Sequence, residues 1–229
     1  NCSATSDPVT ISGGTLRVHG TVSLAGALSI PSGTLEVMGQ TTGGTAALTV
    51  ANGFTNSGLI DLTSTGNHAA SLAVTNGTLT NGGGATFRSS TTGTRNLLAQ
   101  LDNQGTLEVN NPLTVNRVNA QHVNSGAIAG AAALSMTGTA FTNHGAMGPA
   151  GTGTPGTFTM TGNWVQSASP AALNIDIGGT ALANYDRVAV SGDASPGGTL
   201  NVALIGAFVP VIGNAFTIMT YATRPIASL

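Results

Sequence analysis

Phe54-Thr55-Asn56-Ser57-Gly58-Leu59-Ile60 states a pattern that the chain repeats: apolar, any residue, Asn, any residue, Gly, then usually an apolar residue. It returns as Leu79-Thr80-Asn81-Gly82-Gly83-Gly84-Ala85 and as Leu101-Asp102-Asn103-Gln104-Gly105-Thr106-Leu107. His122-Val123-Asn124-Ser125-Gly126-Ala127-Ile128 and Phe141-Thr142-Asn143-His144-Gly145-Ala146-Met147 complete the series. The Asn-to-Asn steps are 25, 22, 21 and 19 residues. Self-similarity at such a period is the mark of a stacked repeat, in which each unit is one turn of a solenoid.

Between these marks the side chains alternate with period two, as in Leu16-Arg17-Val18, Leu35-Glu36-Val37, Leu107-Glu108-Val109 and Leu200-Asn201-Val202. One face is apolar and the other polar, which predicts half-buried strands. A second phrase, Gly-Thr-Leu, stands at Gly14, Gly33, Gly77, Gly105 and Gly198, with a Phe version at Gly156, and is expected to start strands. Short strands with frequent turns suit a sandwich or a solenoid, and the near-constant period decides for the solenoid. The prediction is an all-β fold, a right-handed parallel β-helix with coils of about 19–25 residues and an atypical C-terminal capping region.

Stacked coils place the asparagines Asn56, Asn81, Asn103, Asn124 and Asn143 one above another about 4.8 Å apart. Amide side chains so placed can hydrogen-bond along the axis, whereas a lone buried Asn would be costly. Gly58, Gly83, Gly105, Gly126 and Gly145 are expected at corners, where a positive φ suits glycine. The competing reading makes each Asn-x-Gly an ordinary hairpin turn. Residues 1–172 form the repeat region in this reading. Residues 173–229, with longer strands such as Leu173-Asn174-Ile175-Asp176-Ile177, form terminal coils and a cap. The last residues, Ala227-Ser228-Leu229, carry no terminal motif, so more sequence is expected beyond them.

Composition excludes several functions. Charged residues are 6% of the chain, with six Arg, no Lys and a net charge of −2, against roughly 25% in an ordinary domain. No clustering of charge is visible, and residues 118–175 hold none. A nucleic-acid surface needs a basic patch to displace counterions, and six scattered Arg cannot supply one. No stretch reaches the roughly 18 continuous apolar residues of a membrane span. The lone Cys2 rules out an internal disulfide framework, and without Lys no internal Lys–Asn isopeptide bond can form. The start, Asn1-Cys2-Ser3, fits what remains once an export leader is removed.

The Asn-x-Gly coils at 54–60, 101–107, 122–128 and 141–147, with the run Ile175–Leu204, resemble the passenger regions of bacterial autotransporter and filamentous-haemagglutinin-type surface proteins. The resemblance covers roughly residues 9–221. It implies a right-handed β-helix, export to the bacterial cell surface, and adhesion or a surface stalk or filament. It carries no catalytic residues across.

Some β-helices are polysaccharide lyases and glycosidases, which need converging carboxylates. Asp61 and Asp102, about two coils apart, are the pair with suitable spacing. Asp61 follows its repeat Asn by five residues, while Asp102 precedes its own by one, so the two are expected on different faces. His19, His68, His122 and His144 show no zinc spacing and are expected at the surface or at corners. Trp164 could stack on a sugar, but core packing is the better reading. Phe54, Phe87, Phe141 and Phe158 are expected to form an interior aromatic stack. The Thr-x-Thr-x-Thr of Thr157–Thr161 does not recur at the coil period, which weakens an ice-binding reading. The sequence therefore predicts no catalytic residue, no metal and no cofactor. It predicts an extracellular structural or adhesive module whose partners are like subunits, in an oligomer or filament, or surface glycans. The low charge motivates this, because neutral faces can meet without desolvating ions.

Overall fold

The computed structural model describes residues 6–168 and 170–224, so Cys2 and the last five residues lie outside the described part. The chain winds as a parallel β-solenoid of about eight turns. The described residues contain one short 3₁₀ helix, Leu182–Asn184, and no α-helix. This follows from a sequence poor in helix formers and rich in Gly, Thr and Asn.

Two parallel sheets run up the axis. Sheet A takes β2 (Thr21–Leu24), β4 (Ala46–Asn56), β6 (Ala70–Asn81), β8 (Arg95–Asn103), β10 (Leu113–Asn116), β11 (Gln121–Asn124), β13 (Leu134–Asn143), β15 (Thr157–Gln166), β17 (Arg187–Val190), β18 (Ala194–Ser195) and β20 (Met219–Thr220). Sheet B takes β1 (Val9–Val18), β3 (Leu28–Gly39), β5 (Leu59–Ser64), β7 (Thr86–Ser89), β9 (Thr106–Val109), β12 (Ala127–Ala129), β14 (Ala146–Met147), β16 (Ala172–Ile177) and β19 (Thr199–Leu204). The strands of sheet A bend midway, so one coil reads as three short sides. The bend falls at the register shifts between Asn52 and Phe54 and between Ala73 and Thr78.

Coil lengths differ, yet the registers stay aligned. Most of the extra residues go into the return from sheet B to sheet A, which is short between Val109 and Leu113 and long between Met147 and Thr157, and others go into the sheet-A bend and the corner after Asn81. From residue 173 onward the chain continues the same coils, with β16 pairing to both β14 and β19.

The core is a set of inward columns. Leu48, Leu72, Leu97, Val115, Met136, Met160 and Val190 form one in sheet A, all buried. Leu35, Ile60, Phe87, Leu107, Ile128, Met147 and Leu173 form another in sheet B. Period-two alternation produces this, because every second side chain of a strand faces inward.

Several expectations need correction. The Gly-Thr-Leu phrase precedes a strand at Gly105, Gly156 and Gly198, but Gly14, Gly33 and Gly77 lie inside β1, β3 and β6. Those three have positive φ and bend a continuous strand instead of opening one. The four phenylalanines do not form one stack. Phe87 faces inward from sheet B, while the sheet-A column that holds Phe54 continues through Leu79, Leu101, His122, Phe141 and Trp164. Phe141 and Phe158 alone of the four meet, with ring centroids 5.5 Å apart. His122 is fully buried in that column, not at a corner, whereas His144 is exposed.

Candidate functional site

The asparagine column is the most regular polar feature of the molecule. Asn56 Nδ2 donates to Asn81 Oδ1 at 2.8 Å, and Asn81 to Asn103 at 2.8 Å. Asn103 donates to Asn124 at 2.6 Å, and Asn124 to Asn143 at 2.7 Å. Each Nδ2 also bonds a carbonyl at the start of the next sheet-B strand, as Asn81 does to Thr106 O at 3.0 Å and Asn103 to Ala127 O at 3.0 Å. All five are buried. Each interior amide thus has both its oxygen and its nitrogen satisfied, which a buried amide requires.

The column has two end rungs without the Asn-x-Gly signature. Gln166 accepts from Asn143 at 3.3 Å and donates to Gly197 O at 2.9 Å, closing the upper end. Ile30 pairs with Asn56 at the lower end, so the same column accepts an apolar residue.

The corner glycines are explained by contact, not by φ. None of Gly58, Gly83, Gly105, Gly126 and Gly145 has positive φ. A Cβ on Gly58, Gly105, Gly126 or Gly145 would overlap a carbonyl oxygen of the preceding coil, that of Gly33, Ala85, Gly105 and Gly126 respectively. Gly83 does not belong to this set. The strand register places Ala85 opposite Gly58 and Gly105, because the corner after Asn81 is two residues longer. A Cβ on Gly83 would meet nothing within 4 Å.

Charge is clustered, which the linear sequence hides. Arg17, Glu36, Asp61, Arg88 and Glu108 occupy one outward column of sheet B on consecutive coils. Arg17 Nε lies 2.5 Å from Glu36 Oε2, and Arg88 Nη2 lies 2.7 Å from Asp61 Oδ2. Ser90 Oγ donates to the other Asp61 oxygen at 2.7 Å. The hydrogen bond to Asp61 makes Arg88 hold its proton more tightly than a free guanidinium. Both oxygens of Asp61 are thus engaged in sheet B. Asp102 sits on sheet A and accepts from Gln104 at 2.7 Å. The structure does not bring Asp61 and Asp102 together.

It does bring Asp176 and Asp186 together, a pair that spacing alone did not single out. Asp186 Oδ2 accepts from the Asp176 backbone N–H at 2.8 Å, and Oδ1 from the Gly156 N–H at 2.7 Å. Asp176 Oδ2 accepts from the Gly153 N–H. Both carboxylates line a cavity of about 180 Å³ beside Gly151 and Asn174, smaller than the roughly 300 Å³ at which small-molecule pockets begin. They act as anchors for the 148–156 loop. Burial pushes the Asp186 carboxyl up to about 6, against the two N–H bonds, which favour the anion.

His122 has the opposite effect. Its Nε2 contacts Thr137 O at 3.1 Å and its Nδ1 accepts from the Leu101 N–H at 3.2 Å, while burial lowers its pKa. The signs follow from linkage. Asp186 binds its proton more tightly when folded, so it adds stability as pH falls from about 7 toward about 4. His122 binds its proton less tightly when folded, so its stability is present above about 6.5 and is lost as pH falls below that. In a His122→Leu chain the second effect disappears. Thermal unfolding followed by circular dichroism should then show Tm rising from pH 7 to pH 5, in contrast to the flatter profile of the parent chain.

Arg95 is the other buried charge. Its guanidinium donates to Ser90 O at 3.0 Å, His68 O at 2.9 Å, Thr94 O at 2.9 Å and Thr92 O at 2.6 Å. It also reaches Ser64 Oγ and Thr91 Oγ1. Among the described residues no carboxylate bonds to it, and desolvation lowers its pKa. It stands in the column that Ala70 and Leu113 occupy on neighbouring coils, which is why periodicity alone suggests no Arg there. Arg95 ties the 64–68 and 90–94 corners together. An Arg95→Met chain fills the column but takes from the His68 carbonyl its side-chain donor and from the Ser90, Thr92 and Thr94 carbonyls one of their donors, and it removes the charged partner of the Ser64 and Thr91 hydroxyls. It should lose about 3 kcal/mol in denaturant unfolding.

Trp164 is 1% exposed, and its indole N–H has no hydrogen-bond partner among the described residues. It is core, not a sugar platform. The described residues hold no group of three or more His, Cys, Asp or Glu placed to bind a metal ion, and no helix long and apolar enough to cross a membrane. Comparison with protein-family models, curated proteins and solved structures finds no match to this chain.

Proposed function

We propose that this chain is an extracellular structural or adhesive module, of the kind found in bacterial surface stalks and filaments, and that it works by associating with copies of itself. One observation carries the reading. The outward strand positions of sheet A are uncharged apart from Asp102 and Arg187. One column on that face reads Thr21, Ala47, Ser71, Asn96, Thr114, Ser135, Thr159, Ala189 and Thr220. A soluble monomer ordinarily spreads many charges over its surface. Small neutral side chains on a regular sheet can meet a second neutral face without ion desolvation. Surface glycans are the second class of partner for the same face, since hydroxyl and amide groups match sugar hydroxyls.

The test is sedimentation velocity and negative-stain electron microscopy over a rising concentration series. Oligomers or filaments that persist at high salt are expected, because the contact is not ionic. Dispersed 22.4 kDa monomers at every concentration would overturn the reading.

A further inference from the structure

We infer that copies of this chain stack head to tail, with the last sheet-B strand of one copy pairing in parallel with the first sheet-B strand of the next. This rests on the self-association reading above and specifies its geometry.

The two ends of the solenoid are unlike its middle. Among the described residues, β19 pairs with β16 on one side and with no strand on the other. Its inward column, Leu200, Val202 and Leu204, is 51%, 52% and 54% exposed. One coil earlier, the same column holds Leu173, Ile175 and Ile177, all buried. A cleft of about 320 Å³, lined by Trp164, Leu173, Leu200 and Met219 among others, is open at this end. At the other end, among the described residues, β1 pairs with β3 alone in sheet B, and Leu16 is 37% exposed. Unpaired edges of this kind are templates for another strand.

The two edges match each other. Gly14-Thr15-Leu16-Arg17-Val18 and Gly198-Thr199-Leu200-Asn201-Val202 share the phrase Gly-Thr-Leu-x-Val. The molecule already stacks this phrase on itself. Thr15, Leu16, Arg17 and Val18 lie in register with Thr34, Leu35, Glu36 and Val37. Gly14 and Gly198 have the same left-handed bend, φ +65 each. A Cβ on Gly33 would meet the Gly14 carbonyl oxygen at 2.9 Å, so a glycine is needed where two bends stack. A Cβ on Gly14 meets nothing within 4 Å, since among the described residues no strand lies on that side of β1. Gly198 of a second copy supplies a neighbour there.

In this stack Leu16 covers Leu200 and Val18 covers Val202. Outside, Arg17 faces the neutral Asn201 while keeping Glu36 on its other side, so no like charges meet. Sheet A continues as well, since Thr220 and Thr21 end the same outward column. The contact is heterologous and does not close on itself, so it generates a linear fibre.

The test uses two copies of the 229-residue chain in a Cys2→Ser background, one with Arg17→Cys and one with Asn201→Cys. Stacked parallel strands bring these positions about 4.8 Å apart, within disulfide reach. Mixed and oxidised, the pair should give a disulfide dimer at twice the chain mass. Neither variant alone should do so. The yield should exceed by about ten-fold that of Asn201→Cys mixed with Thr159→Cys, which can meet only through lateral packing. Assembly without the specific crosslink would overturn head-to-tail stacking and leave self-association standing. Loss of both assembly and crosslink in these chains and in the parent would remove both.

Discussion

A Gly126→Ala chain is expected to lose about 3 kcal/mol or more of stability, seen as a Tm lower by about 6–12 °C for a chain of this length. The added Cβ would overlap the Gly105 carbonyl oxygen and the Gln104 backbone. Relief by moving the strand is blocked. The Gly126 N–H is bonded to Asn103 O at 3.0 Å, and the Ala127 N–H to that same Gly105 oxygen at 2.8 Å. Drawing the coils apart would break the ladder on both sides of the corner. Gly83→Ala is the matched control, with open space around the new methyl and no positive φ. It should change stability by no more than about 0.5 kcal/mol. Equal effects at the two glycines would refute the account of the corners as sites of close backbone approach.

The second large effect is expected at Asn103, the middle rung. Asn103→Leu keeps the volume but leaves Asn81 Nδ2 without one acceptor and Asn124 Oδ1 without its donor. The Ala127 carbonyl loses its side-chain donor too. Each stranded buried group costs about 1–3 kcal/mol, so the loss should be about 4 kcal/mol in chemical denaturation. The cost comes from the orphaned neighbours, not from an intolerance of the column for apolar residues, because Ile30 already stands next to Asn56 in it. Replacing the whole series, Asn56 to Gln166, by Leu or Ile should therefore recover part of what the single change loses. A single change with no measurable cost would mean that the amides are not coupled along the axis.

The solenoid was legible because two periodicities agree. Alternation within Leu107-Glu108-Val109 gives the strand, and the recurrence from Asn56 to Asn143 gives the coil. What was not legible depended on registers that only the folded chain reveals. Arg17, Glu36, Asp61, Arg88 and Glu108 are 19 to 27 residues apart in sequence, at uneven steps, so their common column looks like scatter. Ala85 takes the corner that Gly83 was expected to hold because two more residues enter that turn. Arg95 and His122 break the apolar rule at inward positions. Each succeeds because nearby backbone groups, the carbonyls around Arg95 and the Leu101 N–H and Thr137 carbonyl at His122, satisfy it. The Asp176–Asp186 contact spans the 3₁₀ turn, whose geometry no local pattern announces.

The corners and returns between strands absorb the differences in coil length, and this makes the molecule a gauge whose height is independent of its girth. Residues added between 148 and 156 widen one storey and leave the rise of about 4.8 Å unchanged. A 21-residue step such as that from Asn103 to Asn124 is then the natural unit of growth. Duplicating it adds a floor, because each storey packs mainly on the one below and under the one above.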